Sequence, residues 1–159
     1  MRGMPPRSVL RHRWALVLPV LLALAGPAGA GERVRVTVVT ILASQRDREV
    51  EPRLRCIARE VRKLYPRLTG FRMSRMCCKS LPVGARDDFD LVAGQVASVT
   101  VQKGADKEDR VRLKVAPPLL GEITYDTACG KFLPIVTPFR TADGDRLLIA
   151  VRVQPCHGK

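Results

Sequence analysis

The sequence predicts an α+β domain: a β-α-β opening followed by an antiparallel meander that folds over on itself as a partial sandwich or open barrel, with one main helix covering part of one sheet face. Three observations carry this. Residues 50–64 form the one stretch of the body whose apolar residues recur at helical spacing. From Thr69 onward, β-rich runs alternate with breaks that contain Gly, Pro and Asp. Residues 147–153 are almost continuously apolar, the mark of a central strand.

The chain begins with an address. Arg2, Arg7, Arg11 and Arg13 make a basic start, residues 14–25 are apolar apart from Pro19, and Ala28-Gly29-Ala30 is a small-x-small cleavage pattern. The apolar run of about 12 residues falls short of the roughly 20 that a membrane-spanning helix needs. Residues 1–30 therefore read as a signal peptide, with no transmembrane helix after cleavage, and residues 31–159 as a single domain. Gly31 follows the cut, where a lipid anchor requires Cys, and the absence of an Arg-Arg pair favours the general export route. The expected location is the periplasm or the cell exterior.

Residues 33–42 alternate at first, with Val34, Val36 and Val38 on one face, and end apolar on both, as in a strand covered on two sides. Residues 44–49 read as a loop. Val50, Leu54, Ile57, Ala58, Val61 and Leu64 then form one helical stripe. Pro52 suits the first helical turn and Pro66 ends the helix. Opposite the stripe lie Arg55, Arg59, Arg62 and Lys63, a basic solvent face. Further strands are expected near 70–78, 86–92, 96–102, 110–116, 119–127, 131–139 and 146–153.

The length of 159 residues allows one domain, and 46% hydrophobic against 27% charged residues is globular composition. The net charge of +13 falls by the four leader arginines to +9. Such a balance attracts anionic surfaces, lipid headgroups or polyanions, and also keeps a small exported protein soluble. Nucleic-acid binding is not expected, because 4% aromatic residues build no stacking platform.

All five cysteines, Cys56, Cys77, Cys78, Cys129 and Cys156, lie after the leader, and an oxidising destination permits disulfides. A hairpin turning about Asp143-Gly144 sets Cys129 beside Cys156, the expected bridge, which would add about 3–4 kcal/mol in the chain-entropy account. Helix and strand rises carry Cys56 and Cys77 roughly 10 Å apart along their axes, too far for a bridge. Cys77 and Cys78, adjacent on a strand, point to opposite faces. They pack as small apolar groups or, as an alternative, serve with Cys156 and His157 in thiol redox or soft-metal chemistry.

Catalytic patterns are missing from the sequence. His157 is the only histidine after the leader and stands near the C-terminus, without the orienting partner a catalytic imidazole needs. Asp88 and Asp90 share a strand face, as Phe89 and Leu91 share the other, which is ordinary amphipathic patterning. No phosphate loop, dinucleotide fingerprint or zinc-protease motif occurs. No enzyme activity, cofactor or metal is expected.

Four segments carry a resemblance. They are Thr40-Ile41-Leu42-Ala43-Ser44, Pro52-Arg53-Leu54, the Gly84, Phe89, Leu91, Gly94 spacing, and Leu147-Leu148-Ile149-Ala150. Through them the chain resembles a family of small exported bacterial proteins without an assigned function. The resemblance implies export and the same α+β order, and Cys77-Cys78 stand outside its pattern. The expected role is an exported non-enzymatic binding or structural module of the bacterial cell envelope, meeting another envelope protein through a sheet edge or loop rim. An anionic-surface module using Arg55, Arg59, Arg62 and Lys63 is the first alternative, and a thiol or soft-metal protein using Cys77 and Cys78 the second.

Overall fold

The computed structural model describes residues 32–155. The expected leader, Cys156 and His157 lie outside them. The described chain forms β1 (Arg33–Ser44), a 3-10 turn (Pro52–Leu54), α1 (Arg55–Leu64), β2 (Gly70–Pro82), β3 (Arg86–Asp90), β4 (Val96–Lys103), β5 (Arg110–Ala116), β6 (Ile123–Ala128), β7 (Phe132–Arg140) and β8 (Arg146–Pro155).

Two four-stranded antiparallel sheets result, one ordered β2-β1-β8-β7 and the other β3-β4-β5-β6. They face each other as a sandwich. Val34, Val36, Val38, Leu147, Ile149, Val151 and Val153 of the first sheet meet Phe89, Ala97, Val99, Val101, Val111, Leu113 and Val115 of the second. The alternation read in β4 and β5 has this cause: their valines and Leu113 point inward and their polar residues outward.

The helix supplies a third layer. Leu54, Ile57, Ala58 and Val61 cover Val39, Ile41, Ala43, Leu148 and Ala150 on the outer face of the first sheet. Each fully buried Leu, Ile or Val there contributes about 1.5–3 kcal/mol. This explains why β1 and β8 are apolar on both faces: they are the two central strands, with the sandwich on one side and α1 on the other. Pro66 halts α1, and Tyr65 N–H makes the last turn by donating to Val61 O at 2.8 Å.

Several boundaries and one register differ from the sequence reading; β2, for one, runs to Pro82 rather than 78. β6 starts at Ile123 rather than 119, because Pro117-Pro118 is followed by Leu119 in the left-handed region (φ 58°), which breaks the strand. The β7–β8 hairpin begins as its turn predicts, Arg140 facing Arg146, but a bulge between Val136 and Arg140 slips the register so that Phe132 faces Arg152. The bulge has a chemical cause. Pro138 offers no N–H, and Thr137 Oγ1 donates instead to Leu147 O at 2.7 Å. Ahead of β7, Gly130 N–H donates to Val153 O and Cys129 N–H to Asp109 O, both at 2.8 Å.

Candidate functional site

The sandwich closes its core but leaves sheet edges, and these differ. β3 has five residues and β6 six, short edges that offer little to a partner. β7 carries Pro134 and Pro138, which withhold donors from any incoming strand. β2 is the longest strand, with 13 residues and proline only at its last position.

Part of the β2 edge is already used. Phe71 N–H donates to Glu49 O at 2.8 Å, Glu51 N–H donates to Phe71 O at 3.0 Å, and the Glu51 carboxylate accepts from Met73 N–H at 3.0 Å. The segment before α1 therefore caps the first few residues. Over residues 75–79 no described strand or loop pairs with this side. Met76 is 52% exposed there, and Arg75 and Cys78 are exposed as well.

Lys79 closes the inner corner. Its Nζ donates to Asp87 Oδ1 at 2.9 Å and to Asp88 O at 2.6 Å, and lies 5.0 Å from the Phe89 ring centre. Hydrogen bonding to Asp87 raises the lysine pKa, and the same bond holds the Asp87 carboxyl below its usual value. This contact ties β2 to β3 and leaves the outer side of 75–78 open.

The helix arginines do not act as one set. Arg55 and Arg59 are exposed, form no ion pair among the described residues, and line a groove of about 420 Å³ with Val50 and Arg62. Arg62, however, is built into the fold, a correction to the expected free basic face. It donates to Thr69 O and, from Nε, to Leu68 O at 3.4 Å, and it stacks 5.4 Å from the Phe71 ring centre. Lys63 is paired with Glu60 at 2.8 Å.

The cysteines scatter. Cys77 is half-buried against the sandwich core, while Cys78 is exposed on the other face, its Sγ 3.3 Å from Thr37 Oγ1. The two sulfurs thus do not converge on one ligand. Cys56 is an exposed free thiol on α1. Cys129 is also a free thiol; burial pushes its pKa up, helped by Asp109, Asp106 and Glu32. Its expected partner Cys156, like His157, lies outside the described residues. Among those residues no cluster of His, Cys, Asp or Glu has metal-binding geometry, and no helix is long and apolar enough to cross a membrane.

Sequence reasoning missed Asp145, a carboxylate only 6% exposed that takes both Arg46 and Arg72. It also missed Arg140 and Arg146, which join Arg67 at the end of α1 and line one cavity with Tyr65. Compared with known proteins, the chain matches no family model, no curated protein and no solved structure.

Proposed function

We propose that this protein is an exported, non-enzymatic binding module of the bacterial cell envelope that accepts a strand of another envelope protein along β2. The observation that supports it is the open stretch 75–79 on the longest strand, set beside edges that are short or proline-bearing. Strand addition draws affinity from main-chain hydrogen bonds and specificity from flanking side chains. Arg75 on this edge, exposed and in no ion pair among the described residues, disfavours a second basic strand of the same kind and selects an acidic one. The leader-like first 30 residues and the resemblance to small exported proteins support the location.

A photo-cross-linker placed at Met76 tests the reading in envelope extract. One recurring adduct from position 76, absent when the cross-linker stands at exposed Leu119, is expected. Repeated capture of nothing, or equal capture from both positions, removes it.

A second reading has its own support. Arg55 and Arg59 stand unpaired beside a groove on the helix, as a module for anionic surfaces requires. It predicts binding to polyanions or anionic vesicles that weakens steeply with salt.

A further inference from the structure

At the C-terminal end of α1 a cavity of about 350 Å³ brings together Tyr65 and Arg67 from the turn after the helix, and Arg140 and Arg146 from the β7–β8 hairpin. Arg140 and Arg146 are direct cross-strand partners. Like charges placed so are destabilising unless something of opposite sign lies between them. No carboxylate among the described residues forms an ion pair with Arg67, Arg140 or Arg146. The nearest acid in sequence, Asp145, is turned to Arg46 and Arg72.

Arg146 lies over the Tyr65 ring, 5.9 Å from its centre, and its Nε is buried without a hydrogen-bond partner. Arg140 spends one N–H on Gly144 O at 3.1 Å. The carbonyls at the end of α1 supply roughly half a negative charge, a fraction of what three guanidinium groups carry. The cavity is therefore short of an anion. Its rim is apolar: Leu64 is 80% exposed and Tyr65 38%. A small soluble anion has no use for a projecting leucine. A bilayer does, because its interface takes Tyr rings and Leu side chains while phosphates meet arginines just above.

We propose that this end of the molecule docks on an anionic bilayer, with a lipid phosphate held between Arg67, Arg140 and Arg146 while Leu64 and Tyr65 enter the headgroup–acyl boundary. The proposal deepens the anionic-surface reading, on which it rests, and moves the contact from the side of α1 to its end.

Sedimentation of the full chain with phosphatidylcholine vesicles, with and without about 30% phosphatidylglycerol, tests it. Binding to the anionic vesicles alone is expected. Arg67→Gln with Arg140→Gln weakens it about 25-fold, roughly fivefold per charge, and Leu64→Ser weakens it about tenfold. Lys107→Gln, in the exposed turn between β4 and β5 of the other sheet, changes it less than about twofold.

Loss through Arg55→Gln and Arg59→Gln, with the Arg67 and Arg140 variants silent, overturns this docking geometry and leaves the anionic-surface reading standing. No binding to any anionic vesicle ends both. Inorganic phosphate alone is the remaining arm: saturable binding of phosphate, with vesicle binding indifferent to Leu64→Ser, identifies a soluble-anion pocket and overturns the docking.

Discussion

Arg72 on β2 reaches across β1 to Asp145 at the foot of β8, placing Nη2 2.9 Å from Oδ2. Arg46 approaches the other carboxylate oxygen at 3.4 Å and also donates to Asp143 O. The carboxylate is buried and both guanidinium groups are mostly exposed, so the two sides of this cluster respond differently to mutation. Removing Asp145 frees two arginines into water. Removing both arginines strands a buried charge, the costlier defect. Asp145→Ala is expected to cost about 1–3 kcal/mol, and Arg46→Ala with Arg72→Ala to cost more. Urea unfolding of the three proteins checks the order, and equal losses refute the asymmetry.

Arg59 and Arg62 differ by less than one helical turn and sharply in role. Arg62→Ala removes bonds to Leu68 O and Thr69 O and the stack on Phe71. Destabilisation of about 1–2 kcal/mol is expected, against at most about 0.5 kcal/mol for exposed Arg59→Ala. Thermal melts of both variants measure the difference.

Acid should loosen the sandwich locally. Hydrogen bonds from Lys79 depress the Asp87 pKa, those from Arg112 depress that of Asp126, and the Arg110 and Glu108 amides depress that of Asp106, each from an ordinary 3.8. A depressed carboxylate contributes stability that is fully present above its unfolded pKa and is lost as pH falls through the folded one. These contributions therefore hold above about pH 4 and disappear below it, modestly because the groups are exposed. Asp87→Asn with Asp126→Asn should flatten the melting temperature between about pH 4 and pH 2. An unchanged acid slope would count against these pairs.

Thiol reactivity should follow exposure. Cys56 and Cys78 are exposed, whereas Cys129 is half-buried with a raised pKa. Brief iodoacetamide treatment of the native protein at mildly alkaline pH should label the first two well before Cys129. Peptide mass spectrometry reads the order, and early labelling of Cys129 contradicts its placement.

The architecture was legible because its main signals are local. The double-sided apolarity of residues 38–42 and 147–150 marks strands covered by two layers, and the 50–64 stripe marks the layer on top. The Thr137–Pro138 bulge was not legible, since it depends on a hydroxyl replacing an amide across the hairpin. Nor did the helical pattern reveal that Arg62 curls back to Thr69, because it gives the side of a residue and not what approaches from outside. Pro134 and Pro138 were a usable sign that β7 is an edge. The arginine cavity joins residues about 75 positions apart in sequence, and only the tertiary fold brings them into one place.

The sheet order also governs timing. β8 inserts between β1 and β7, and β1 pairs with it at a separation of about 110 residues. Until that last strand has been synthesised, β1 lacks one neighbour and α1 has only part of its platform. Contacts so distant along the chain form slowly. A ribosome-bound chain thus cannot close its first sheet until residues 146–155 have been made, although the sequential hairpins of the second sheet need no such wait.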